Sequence, residues 1–171
     1  MVSIGNWVLQ QACRRARAWH DAGQAWRVAV NLSPAQCLHN NLLLSVQEAL
    51  AVSGLPAACL ELEVTESLLM KGGARLAGVL AQLRALGARL AIDDFGTGYS
   101  RLANLRHYPV DKLKIDPSFL PAVADDAAGE SDTMLAATII AMARELQLTV
   151  IAEGVETAQQ LAYLRGQGCQ Q

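Results

Sequence analysis

The stretch Arg89-Leu90-Ala91-Ile92-Asp93-Asp94-Phe95-Gly96-Thr97-Gly98-Tyr99-Ser100 decides the architecture. Leu90 and Ile92 alternate with Ala91 and Asp93, the period of a strand with one apolar face and one face that ends in a carboxylate. Glycines and hydroxyls follow, which mark a loop at the strand's carboxyl end. In parallel α/β folds that end of the strands is where ligands gather.

The same unit recurs on both sides. Upstream, Val8, Ala12, Ala16 and Trp19 share one face of an opening helix that Gly23 ends, and Arg27–Leu32 is a short β-rich run. Ser33-Pro34-Ala35-Gln36 carries a helix start: a Ser cap, Pro at the first helical position and Gln three residues after the cap. That helix is expected to run to about Val52, with Gly54 as its stop. Leu60–Thr65 precedes a helix around Leu76–Leu86, and a short helix near Leu102 leads to Lys112–Asp116. A helix over Leu135–Leu146 feeds Thr149–Glu153, and a last one near Ala158–Arg165 ends at Gly168. The acidic, small-residue segment Asp125–Asp132 reads as an exposed loop. Five strands separated by helices imply parallel pairing with right-handed crossovers, hence an α/β class.

The strands divide into two faces. Val28, Val30, Leu60, Leu62, Val64, Leu90, Ile92, Leu113, Ile115, Val150 and Ala152 form an apolar face for the helices. The opposite face carries Asn31, Glu63, Asp93, Lys114 and Glu153 near the strand ends, as at the upper rim of a barrel. Glu61, Lys112 and Asp116 fall on that inward face too and make its pattern less clean.

Composition limits what this rim can serve. The 171 residues are 52% hydrophobic and 18% charged, enough for a single globular unit over residues 1–171. A net charge of −2 leaves no basic stripe for polymeric nucleic acid. The longest apolar run, Leu135–Ala143, falls short of the roughly 18 residues that span a bilayer. Trp7–Leu9 is too short for a signal peptide, and its arginines follow it; a cytoplasmic chain is expected. Cys13, Cys37, Cys59 and Cys169 are scattered without a Cys-x-x-Cys pair, as reduced, space-filling cysteines are. Trp7, Trp19 and Trp26 read as packing residues, and the three histidines as structural or solvated.

Asn31, Glu63, Asp93 and Asp94 offer oxygen and neither nitrogen nor sulfur, a donor set for magnesium or manganese rather than zinc or copper. The loop containing Gly96, Thr97 and Gly98 can bring N–H groups to a phosphate or move as a lid. Lys114 can hold a phosphate oxygen, or merely neutralise carboxylates inside the barrel, and Glu153 can deprotonate a water. A single Asp or Glu is more often a solvated surface charge; convergence of five strand ends is what points to a site.

The strings Asn31-Leu32-Ser33, Leu60-Glu61-Leu62-Glu63-Val64-Thr65-Glu66-Ser67, Ile92-Asp93-Asp94-Phe95-Gly96-Thr97-Gly98-Tyr99-Ser100, Val110-Asp111-Lys112-Leu113-Lys114-Ile115-Asp116 and Ala152-Glu153-Gly154-Val155-Glu156-Thr157 together resemble the EAL domain, the bacterial cyclic di-GMP phosphodiesterase. The resemblance covers nearly the whole chain. It implies a TIM-barrel-like (β/α) fold and opening of cyclic di-GMP to linear pGpG with two magnesium or manganese ions. Carried over by position, it implies that Asn31, Glu63 and Asp93 bind one ion and that Asp93 and Asp94 serve the second. Lys114 and Glu153 match the family's catalytic lysine and general base, Glu156 a further carboxylate of the site, and Glu66 the glutamate that anchors the Asp-Asp-Phe-Gly loop.

There are departures. A full (β/α)8 barrel takes about 250 residues, and the family's Glu-Ala-Leu strand and its Gln-Gly-Tyr strand have no counterpart here. Glu48-Ala49-Leu50 spells the first triplet but lies within a helix, so Glu48 is not that ligand. Pro117 stands where the family commonly has Arg. A partial barrel of mostly parallel strands is expected, with open edges that favour a homodimer or contact with regulatory domains of a parent protein. Two other readings of the same residues are a cyclic di-GMP-binding or dimerising regulatory module that does not hydrolyse its ligand, and a fragment without independent function.

Overall fold

The computed structural model describes residues 2–38, 41–96, 102–120 and 128–170. Its organising element is one sheet in which β1 (Val28–Asn31), β2 (Leu60–Thr65), β3 (Arg89–Phe95), β4 (Lys112–Ile115) and β5 (Thr149–Ala152) run parallel, each beside the strand before it in the chain. The connections carry α1 (Val2–Asp21), α2 (Pro34–Leu38), α3 (Leu42–Ser53), α4 (Glu66–Ala85), α5 (Ala128–Glu145) and α6 (Ala158–Gln167). The class is α/β, as the alternation of patterns predicts.

The core lies between the helices and the apolar strand face. Leu60, Leu62, Val64, Leu90, Ile92, Leu113, Ile115 and Val150 are fully or almost fully buried there. They meet Leu9 and Cys13 of α1, Val46 of α3, Leu69, Leu80 and Leu83 of α4 and Ile140 of α5 in one continuous cluster. Each fully buried leucine contributes about 1.5–3 kcal/mol of transfer free energy, so this layer is what fixes the sheet's orientation. Strand alternation then sends the polar residues to the opposite face.

Several boundaries differ from the sequence reading, each for a local reason. Leu9, Cys13 and Ala16 form the buried stripe of α1, with Ala12 and Trp19 flanking it, while Val8 is exposed. The Ser33 cap forms as expected, with Ser33 Oγ accepting from Gln36 N and Gln36 Oε1 accepting from Ser33 N, but the helix it starts is the short α2, separate from α3. α4 begins ten residues before Leu76, at Glu66, and is kinked at Gly73 (φ 56°, ψ −158°), so the periodic pattern marked only the part beyond the kink. α5 starts at Ala128, inside the segment expected to be a loop; residues 125–127 lie outside the described ones.

Of the tryptophans only Trp19 packs against the core; Trp7 and Trp26 are exposed, although Trp26 sits edge-on to Trp19 at 5.7 Å. All four cysteines are free thiols, and burial pushes those of Cys13 and Cys37 up to about 11. Among the described residues no helix is long and apolar enough to cross a membrane.

Candidate active site at the strand carboxyl ends

Four strands deliver charge to one place. In β2, Leu60, Leu62 and Val64 face the helices and so Glu61 and Glu63 face the other way, and the same alternation in β4 presents Lys112 and Lys114. Asn31 lies in register with Glu63, and Thr65 with Asp93. β3 slips against β4 between Ile92 and Phe95, where three residue steps oppose two. The bulge lets Ile92 and Phe95 both enter the core and leaves Asp93 and Asp94 together at the rim. Asp94 takes a left-handed conformation there (φ 52°), uncommon for a residue with a side chain and frequent next to functional sites.

The Lys114 ammonium is the hub. Its Nζ lies 2.8 Å from Glu153 Oε1, 2.9 Å from Asp93 Oδ1 and 3.0 Å from Glu63 Oε1. Lys114, Glu63 and Asp93 are buried, whereas the Glu153 side chain is 40% exposed. Burial opposes the charge on Lys114, but the carboxylates of Glu153, Asp93 and Glu63 outweigh it and hold its proton above the usual lysine range. Burial also raises Glu63, against the opposing pull of Lys114. Asp94 is raised by desolvation and then by the neighbouring charges of Asp93, Asp116 and Glu153. With Glu63, Asp93, Asp94 and Glu153 all ionised, the single ammonium leaves three negative charges uncompensated.

Two turns fix the walls. The buried Glu66 carboxylate, at the start of α4, accepts a 2.8 Å hydrogen bond from the Gly96 N–H, tying the end of β3 to α4. Gly96 has φ 105°, and a Cβ there would meet the Phe119 ring at 2.7 Å, so the chain turns where only glycine fits. Gly154 does the same after Glu153: its φ is 68° and a Cβ would lie 2.8 Å from Pro117 Cβ. Thr97 and Gly98 lie outside the described residues.

Of the residues expected from sequence, the structure brings Glu63, Asp93, Lys114 and Glu153 into direct contact, with Asp94 beside them and Asn31 on the adjoining strand. Glu156 is not gathered in: it is exposed, makes no ion pair among the described residues, and its N–H donates to Gln160 Oε1 beside the capping box of α6. Asp116 caps the turn Pro117–Phe119 by accepting from Ser118 N. A second buried ion pair, Lys112 Nζ to Glu61 Oε2 at 2.7 Å, lies nearer the amino ends of the strands. Its residues were visible on the inward face, but the spacing alone could not pair them.

The donor set fits a hard divalent cation. It is made of carboxylate and amide oxygen, and among the described residues the buried Asp93 Oδ1 has no polar neighbour but the Lys114 ammonium, 2.9 Å away. Among the described residues no three acidic, histidine or cysteine side chains already form a closed cage. The ammonium does the gathering, occupying a point where a cation is attracted by several carboxylates at once.

Fold and site together define a parallel α/β domain with a carboxylate-rich cation site at its strand ends. The chain belongs to the EAL domain family, whose sequence pattern it matches over residues 1–171. It is 49% identical over 168 residues to "Cyclic di-GMP phosphodiesterase NbdA" of Pseudomonas aeruginosa, covering 98% of this chain and 21% of that protein. It is 45% identical over 170 residues to "Bifunctional diguanylate cyclase/cyclic di-GMP phosphodiesterase MucR" of the same organism, covering 99% of this chain and 24% of the relative. The solved structure "PaMucR Phosphodiesterase, c-di-GMP complex" superposes with a TM-score of 0.92 at 45% identity, over 98% of this chain and 67% of that one. The chain thus spans about a quarter or less of the length of these curated relatives, and its fold is TIM-barrel-like, as in the solved phosphodiesterase structure.

Proposed function

We propose that residues 1–171 act as one unit that hydrolyses cyclic di-GMP to linear pGpG with divalent ions, magnesium or manganese. The observation that carries this reading is the convergence of Glu63, Asp93 and Glu153 on Lys114 at the strand carboxyl ends; the names of the relatives supply the substrate. Asn31, Glu63, Asp93 and Asp94 would hold the ions. Held there, such ions would supply Lewis-acid polarisation of a phosphodiester and a more acidic water.

The chain's own residues do the rest. Of the three carboxylates that contact Lys114, Glu153 is the most solvent-accessible, so its oxygen is placed to accept a proton from water arriving at the rim. Lys114 keeps its proton throughout the neutral range. Its ammonium restrains the Glu153 carboxylate and can turn to a phosphate oxygen as negative charge builds there. Glu66 holds the end of β3, and with it Asp93 and Asp94, against α4.

The test is to incubate the 171-residue chain with cyclic di-GMP and manganese and follow linear product by chromatography, with Glu153→Ala alongside. Product that disappears in the variant supports the proposal. A folded chain that binds the nucleotide without turning it over overturns hydrolysis in favour of a sensor module, and absence of binding overturns both.

A further inference from the structure

Beneath the site lies a second ion pair that the proposed chemistry does not use. Glu61 and Lys112 come from β2 and β4 and reach across β3, where Ala91 lies level with Lys112 and Arg89 level with Glu61. Their side chains are 7% and 13% exposed, and among the described residues neither has any other polar partner. Two charges so desolvated are costly to keep for stability alone, since a buried ion pair seldom improves on apolar packing.

The register gives the pair a purpose. Glu63 is paired with Ala91, and Ala91 with Lys112, so Lys112 stands level with Glu63 rather than with Glu61. Lys112 nevertheless pairs with Glu61, and Glu63 pairs with Lys114, so each lysine reaches toward the amino ends of the strands for its glutamate. The alternative arrangement, in which Lys112 takes Glu63, is one step away along the same ladder. It would put a second ammonium on Glu63, whose Oε1 already pairs with Lys114, and so leave that carboxylate no oxygen for a cation.

We infer that Glu61 and Lys112 are positioning residues: Glu61 captures the Lys112 ammonium and thereby reserves the Glu63 carboxylate for a divalent cation. This rests on the metal reading given above. It extends the functional constellation one layer down, to residues that touch neither ion nor substrate. A pair that acts in this way has a signature that a structural one lacks, because removing the competitor should undo the damage of removing its captor.

The test is manganese affinity by titration calorimetry on the 171-residue chain and three variants, with urea unfolding as a check on each fold. Glu61→Gln frees Lys112 to take Glu63 and is expected to weaken binding roughly tenfold, the low end of what supporting residues contribute to metal sites. Lys112→Met removes the competitor and is expected to bind at least as tightly as the native chain. The double variant is expected to return to within about threefold of native. A metal-free crystal structure of Glu61→Gln should find Lys112 Nζ within ion-pair distance of Glu63. Native-like binding by Glu61→Gln, or a double variant as weak as that single one, overturns the inference while leaving the metal reading intact. A native chain that binds no manganese overturns the metal reading and the inference with it.

Discussion

Replacing Lys114 by Met tests whether charge, rather than packing, organises the strand ends. The substitution keeps most of the side-chain length and removes the ammonium that Glu63, Asp93 and Glu153 share at 2.8–3.0 Å. Removing one partner from a buried ion pair costs about 3–5 kcal/mol, because the remaining charge stays desolvated. Glu63 and Asp93 are buried and carry this cost; Glu153 is 40% exposed and solvent screening removes most of its share. We expect a loss of about 3–5 kcal/mol near pH 8 by urea unfolding, or about 6–20 °C in melting temperature for a chain of this size. The sign with pH follows from Glu63, which burial already raises above its ordinary value. A carboxylate whose folded pKa is raised destabilises the fold increasingly as pH climbs past its unfolded value and through the folded one. The deficit of Lys114→Met should therefore shrink as the pH is lowered toward the ordinary glutamate range of about 4.3, because Glu63 protonates before it would in the unfolded chain. In the native chain Lys114 is raised above the lysine range, so its contribution persists below that range and fades only in strong alkali. A deficit equal at both pH values, or under about 1 kcal/mol near pH 8, would refute the reasoning.

Other expectations follow from single contacts. Glu66→Ala leaves the Gly96 N–H without its acceptor and should cost about 1–3 kcal/mol in urea unfolding, together with a loss of turnover from displacement of Asp93 and Asp94. Gly154→Ala forces a side chain into a left-handed turn against Pro117 and should cost about 1–3 kcal/mol; adding Pro117→Gly should recover the steric part, and a double-mutant cycle that finds no coupling would contradict the contact. The Cys13 and Cys37 thiols, buried and pushed up to about 11, should resist iodoacetamide at about pH 8 in the folded chain and react in concentrated urea, as read by mass spectrometry.

Much of the strand layer was legible because two-residue alternation is a short-range signal. Leu62 and Glu63, or Leu113 and Lys114, declare opposite faces without any knowledge of what lies around them. The Ser33 cap was legible for the same reason, since its partners lie within three residues. The missed features depend on distant neighbours. Glu66 heads a helix whose first turns are masked in sequence by Gly72 and Gly73, and the outer face of α1 exposes Val8 because α3 packs on the side of Leu9 and Cys13. In the site, spacing singled out Glu63, Asp93, Lys114 and Glu153, but their meeting at one nitrogen depends on a bulge in β3 that no local pattern announces. Glu156 carried the motif without the geometry, its turn being committed to capping α6.

The sheet in which every strand lies beside its predecessor also sets how the chain can assemble. No described strand must wait for a later one before it can pair, so each β-helix unit closes onto structure already present. Each closure still bridges a whole helical crossover; its entropic cost grows only slowly with loop length, although parallel pairing of this kind is intrinsically slow to form. As the polypeptide leaves the ribosome, β1 to β5 can therefore dock in order of synthesis, and the carboxylates of β2 and β3 are in place before the lysines of β4 arrive to neutralise them.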